Sequence, residues 1–157
     1  MKKAFAAILL FFAFSLSYSQ TTFSLTGTQF KVGSFYRAYD ILFSLGKAEL
    51  LPNTPQPILD SVVTFLKNNP TIKLEIDVHA DSRMSDHSNT NLTLARAKSI
   101  HDYLVNSGIA ENRLVAMGYG KRKLLISDAQ IAKAKTIDEK EALHAQNRRV
   151  EFKILAL

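Results

Sequence analysis

Two side chains of opposite charge, Asp81 and Arg96, stand where a strand hands over to a helix, and together they could hold a small group that carries both charges. Asp81 lies just past the carboxyl end of a run, Ile72 to Val78, that reads as a strand. The next helix reads as about Asn89 to Asn106, so Asn89, Thr93 and Arg96, spaced four and three apart, share one of its faces. Helical side chains lean toward the start of their helix, and Arg96, two turns in, can reach back roughly 10 Å toward the crevice. Crossover folds bind ligands in that crevice, where free amides and the positive end of the helix dipole also attract a carboxylate. A guanidinium suits the task because its fork matches both oxygens of a carboxylate. Plainer roles exist for the same residues. An aspartate at a strand end beside an arginine is more often a structural ion pair, and Arg83 can compete for Asp81. Asparagine is also a favoured helix starter, which gives Asn89 a capping role of equal weight.

Catalysis finds little support. His79, with Asp86 and His87 nearby, invites a catalytic or metal reading, but no serine stands in a recognisable nucleophile setting and the chain has no cysteine. No metal-ligand spacing such as H-E-x-x-H occurs. His79 therefore reads as a structural residue at a strand end, and the sequence predicts no enzyme, no cofactor and no metal.

The elements that must position these residues follow from periodicity. Ile72, Leu74, Ile76 and Val78 alternate with Lys73, Glu75, Asp77 and His79, a period of two with one core face and one polar face. Before it, Tyr36 to Phe43 reads as a strand, and Asn53-Thr54-Pro55 reads as the cap of a helix over about 54–68 that buries Leu59, Val62, Val63 and Leu66. The second helix turns Leu92, Ala97, Ile100 and Leu104 inward and closes at Gly108. Arg113 to Met117 is a short strand, residues 127–146 read as a peripheral helix or partly mobile insert, and Val150, Phe152 and Ile154 mark a last strand. The fold class is α+β: a two-layer β-α-β-α-β-(α)-β domain, a mixed four-stranded sheet with helices packed on one face.

Bulk properties narrow the function further. Met1-Lys2-Lys3, an apolar run from Ala4 to Leu16, and Ser17-Tyr18-Ser19 have the layout of a secretory signal over residues 1–19. That run is shorter than the roughly 20 residues a spanning helix needs, and no second such run follows, so no transmembrane segment is expected in the mature protein. Residues 20–35 read as a leader or edge segment and 36–157 as one domain. Removing Lys2 and Lys3 lowers the formal net charge from +6 to +4, which is ordinary for solubility and also suits an anionic surface. Nucleic acid is excluded as a partner, because an exported chain with no dense basic patch among aromatics does not fit it.

The motifs themselves carry a resemblance. His79-Ala80-Asp81, then Asn89-Thr90-Asn91-Leu92-Thr93-Leu94-Ala95-Arg96-Ala97, resembles the pattern H-T-D … N-x-x-L-S-x-x-R-A of OmpA-like C-terminal domains, the peptidoglycan-associated type also found in MotB and Pal. Ile41-Leu42-Phe43 with Leu50, Tyr103-Leu104 with Gly108-Ile109, Gly118-Tyr119-Gly120, and Asn147-Arg148-Arg149-Val150-Glu151 agree in order, so the resemblance spans about residues 37–154. It implies non-covalent binding of peptidoglycan through diaminopimelate of the stem peptide, which presents an ammonium and a carboxylate on one carbon. Asp81 and Arg96 match the two poles, Asn89 lies beside them, and Arg148 is placed near the ligand carboxylate; Arg149 is assigned to a solvated strand face. The chain departs from the pattern at Val78 and Met84, where the family has glycine, at Ser44, and at Lys121-Arg122-Lys123 in place of a proline. The expectation is an attachment module of the cell envelope, periplasmic or outer-membrane associated, with other envelope proteins as further partners. The alternative is a docking or assembly domain of the same fold that has lost peptidoglycan binding.

Overall fold

Leu74, Ile76 and Val78 drive one side of strand β2 (Lys73–His79) into the core, and the computed structural model places that strand at the centre of the sheet. The structure describes residues 21–39, 41, 43–52 and 56–157. The expected signal over 1–19 and the expected cap at Asn53-Thr54-Pro55 lie outside these residues. Strand β1 (Phe35–Ala38), helix α1 (Pro57–Asn68), β2, helix α2 (Asp86–Asn106), strand β3 (Leu114–Gly120), helices α3 (Asp128–Ile131) and α4 (Ile137–Asn147), and strand β4 (Val150–Ala156) follow in order. The sheet runs β1-β4-β2-β3; β3 is parallel to β2, and β4 is antiparallel to both β1 and β2. This is the mixed four-stranded sheet expected from the sequence. Among the described residues no helix is long and apolar enough to cross a membrane.

One core joins the helices to one face of the sheet. Leu59, Val62, Phe65 and Leu66 of α1 and Ala97, Ile100 and Leu104 of α2 meet Leu74, Ile76 and Val78 of β2 and Val150, Phe152 and Ile154 of β4. Gly118 of β3 lets α2 approach the sheet closely: a Cβ built there would stand 2.2 Å from the Leu94 backbone nitrogen. The leader also packs. Phe23 and Phe30 place their rings 5.3 and 5.2 Å from that of Phe65, and the Phe23 amide donates to Phe35 O at 3.1 Å.

Several elements differ from the sequence reading; β3, for one, runs from Leu114 to Gly120 rather than from Arg113 to Met117. The first strand stops at Ala38 rather than Phe43, because its partner β4 begins at Val150, opposite Ala38, and beyond that the ladder has no second strand. Helix α2 begins at Asp86, three residues early, because Ser85 caps it by accepting the Ser88 amide at 3.2 Å. The 127–146 segment is two helices, each opened by a reciprocal capping box, Ser127 with Gln130 and Thr136 with Glu139.

The polar sheet face is the larger surprise. Glu75, Asp77 and His79 of β2 lie beside Glu151 and Lys153 of β4, and Asp77, His79 and Glu151 are buried. Arg149, assigned to a solvated face, is only 5% exposed; it donates to Glu151 at 2.8 Å and to the carbonyls of Asn147 and Lys123. Alternation identifies a face, and the segment after β3 then crosses over this one. Burial, reinforced by neighbouring Glu75, pushes the Asp77 carboxyl up to about 7, and burial also pulls His79 below its ordinary value.

Asn147 fixes that crossing segment. Its side chain is fully buried, accepts the amides of Leu125 and Ile126 at 2.8 and 3.0 Å, and donates to Ile126 O at 2.8 Å. Alanine at 147 strands three backbone groups and should destabilise the fold by about 2–3 kcal/mol, since a single unmet buried group costs about 1–3. Urea unfolding reads this; a loss under about 0.5 kcal/mol would mean that those groups find other partners.

Candidate functional site

The crevice is built where β2 ends, α2 begins and α4 passes into β4. The loop after β2 bends without glycine because two side chains hold its backbone. Asp81 Oδ1 accepts the Arg83 amide at 3.1 Å, and the buried Asn89 donates its Nδ2 to the carbonyls of Asp81 and Met84 at 3.1 and 3.2 Å. Asn89 is therefore not the helix starter; it sits in the first turn and staples the loop onto the helix.

Asp81 is 6% exposed and its second oxygen is crowded with donors. Oδ2 accepts Arg83 Nη2 at 2.6 Å, Arg83 Nε at 3.1 Å and Arg148 Nη1 at 2.8 Å. Burial works to raise its pKa, but the hydrogen bonds from Arg83 and Arg148 outweigh it and hold the carboxyl down at about 2. Glu141 of α4 closes the set, taking Arg83 Nη1 at 2.8 Å and Arg148 Nη2 at 2.7 Å. Two carboxylates and two guanidiniums thus form a ring between the loop after β2 and α4 with its C-cap. Ser82 adds a hydrogen bond to Asp128.

Arg96 stands apart from this ring. Its Nε donates to Lys47 O at 3.0 Å, and its guanidinium lies over the Phe43 ring at 4.8 Å. Arg96 and Arg148 line one cavity of about 780 Å³, whose walls include Ile41, Phe43 and Val78. Thr93, on the same helix face, is spent on structure: its hydroxyl donates to Asn89 O at 2.7 Å and accepts the Gly120 amide at 3.0 Å.

Of the expected residues, Asp81 and Arg148 are in direct contact, Asn89 supports the loop that carries Asp81, and Arg96 reaches the cavity but not Asp81. Arg83 does compete for Asp81. Glu141 had no signal in the sequence, since nothing in a charged, alanine-rich stretch distinguishes one glutamate from its neighbours.

Comparison with known proteins places this geometry in context. A family model described as the OmpA family matches residues 42–137, more than half of the chain. Outer membrane porin F of Pseudomonas fluorescens is 30% identical over 117 residues, covering 74% of this chain and 32% of that protein. The peptidoglycan-associated lipoprotein of Legionella pneumophila is 30% identical over 96 residues, covering 61% of this chain and 49% of the lipoprotein. Among solved structures, a MotB-like protein from Desulfovibrio vulgaris shares the fold at a TM-score of 0.61 and 23% identity, over 78% of this chain and 73% of that one. This chain spans about a third of the length of porin F. With a family model matching over most of the domain, and a four-stranded sheet and helices arranged as in solved relatives, the chain belongs to the OmpA family.

Proposed function

We propose that this chain binds peptidoglycan non-covalently, as an attachment module of the cell envelope, periplasmic or associated with the outer membrane, and that the group it holds is the diaminopimelate of the stem peptide. The observation that carries this reading is the pairing of Arg96 and Arg148 along one cavity, with the Asp81 carboxylate bonded to Arg148 at its edge. A ligand carboxylate would take the fork of Arg148 or Arg96, and the ligand ammonium an oxygen of Asp81 or Glu141. No bond is made or broken in such a site, so its residues need only position charge. The names of relatives support it, one being a peptidoglycan-associated lipoprotein.

Sedimentation with purified insoluble peptidoglycan tests the reading, with free diaminopimelate as competitor. Saturable, competed binding is expected. Arg96→Ala, Arg148→Ala and Asp81→Ala should each weaken it about 10- to 30-fold, as the loss of one charged hydrogen bond in an open cleft predicts. Because both hold one zwitterion, Asp81→Ala and Arg96→Ala should be less than additive together. Arg83→Ala should tighten binding, since it frees an Asp81 oxygen for the ammonium.

A second reading has an observation behind it. Asp81 is already saturated by Arg83 and Arg148, as in a docking or assembly domain whose wall site has closed. If the parent protein and Arg83→Ala both fail to sediment with peptidoglycan, that reading takes over.

A further inference from the structure

On the sheet face turned away from α1 and α2, β2 and β4 bring Asp77, His79 and Glu151 together. One ligand-capable atom of each lies within 4.8 Å of the others, and His79 Nε2 is 3.6 Å from Glu151 Oε2. All three side chains are more than nine-tenths buried. Asp77 Oδ1 and both ring nitrogens of His79 have no hydrogen-bond partner among the described residues. Unmet polar atoms in a buried cluster are unusual and call for an explanation.

Surrounding contacts orient these atoms. The His79 ring stacks flat on Tyr119, with centroids 5.2 Å apart and planes 8° from parallel, which fixes the imidazole plane. Arg37 and Arg149 both donate to Glu151 Oε1, at 3.0 and 2.8 Å, leaving Oε2 as the oxygen turned to His79. Such outer contacts are how metal ligands are commonly aimed.

We propose that Asp77, His79 and Glu151 form a binding site for a divalent first-row transition ion. One imidazole and two carboxylates suit zinc or its neighbours better than calcium or magnesium, which prefer all-oxygen cages. With zinc bonds of about 2.0–2.2 Å, tetrahedral ligand atoms stand about 3.4 Å apart. The His79–Glu151 pair, at 3.6 Å, is close to that spacing, and the third ligand, within 4.8 Å of the others, closes by up to about 1.4 Å. A cavity of about 400 Å³, lined by Asp77 and Glu151 with Lys123, Arg149 and Lys153, borders two of the three ligands and leaves room for water as a fourth.

Four cations oppose the ion and set its affinity. Arg37 and Arg149 are held by Glu151, Lys153 by Glu75 at 3.2 Å, and Lys123 lies over the Tyr119 ring at 3.6 Å. Each is already engaged, yet their charge weakens the site relative to the same donors in neutral surroundings. Binding weaker than that of a permanent structural zinc follows.

The test is calorimetric titration of chelator-treated protein with zinc chloride, beside ¹⁵N spectra of the imidazoles in the parent chain. One equivalent should bind, the His79 nitrogen signal should move on saturation, and the unfolding midpoint should rise about 8 °C at a hundredfold excess over Kd. Asp77→Asn and His79→Gln should each lose at least tenfold in affinity, whereas His87→Gln on the exposed start of α2 should lose none. No saturable uptake, uptake unchanged in Asp77→Asn and His79→Gln, or a His79 signal unmoved by zinc would each overturn the proposal. Should the two variants fail to fold, the imidazole spectrum of the parent decides alone.

Discussion

Alanine at Gly118 is expected to destabilise the protein by at least about 3 kcal/mol, although it adds a single methyl group. The new Cβ would stand 2.2, 2.6 and 2.8 Å from the nitrogen, Cα and Cβ of Leu94. Two of these atoms are helix backbone, so no rotamer change relieves the contact and α2 must move off the sheet. Overpacking a core usually costs about 1–3 kcal/mol. Here the cost lies at or beyond the upper end, because the displacement also opens the packing of Ala97, Ile100 and Leu104 on β2. Asn89 and Arg96 ride on the same helix, so Gly118→Ala should weaken peptidoglycan sedimentation as well. Urea unfolding checks the first effect, and a loss below about 1 kcal/mol would mean that α2 does not lie against β3 as described.

Phe65→Ala should cost about 3–5 kcal/mol, the range for removing a buried aromatic ring. Phe65 is 2% exposed, belongs to the core and receives the rings of Phe23 and Phe30. Its loss leaves a cavity that those two rings cannot fill without pulling Phe23 away from its bond to Phe35. The expected signature is therefore double: lower stability, and faster amide exchange at Phe23 and Phe35 in the native state. A variant that lost stability while both amides stayed protected would show that the leader is held by its strand contact and not by the aromatic cluster.

Much of this architecture was readable because its cause is local. The alternation from Ile72 to Val78 and from Val150 to Ile154 marks two strands whose apolar side is set by the pleat, and both lie where that period puts them. The start of α2 is hard to read because Asp81 to Ser88 is polar apart from Met84 and resembles a loop, yet Ser85 followed by Asp86 is a sound cap and first turn. The two capping boxes at Ser127 and Thr136 are likewise a local signal in the sequence. What the sequence could not supply is which segment covers which face. Arg149 and Asp77 alternate correctly with the core, but only the path of Lys121 to Ile126 over the sheet, pinned by Asn147, makes their face an interior. Glu141 reaches Arg83 and Arg148 because α4 crosses the crevice, and no periodicity relates residue 141 to residue 81.

The sheet order β1-β4-β2-β3 also has a consequence in time. β1 bonds to no other named strand than β4, and the two are separated by the whole of the domain between Ala38 and Val150. A chain emerging from its amino end would present β1 and one side of β2 as bare edges until the 150–156 segment arrived between them. Such non-local pairing slows folding, and unpaired edges invite pairing with other chains. Folding of this protein should therefore be exposed to aggregation during that interval, and removal of residues 150–157 should yield aggregates instead of a smaller folded domain.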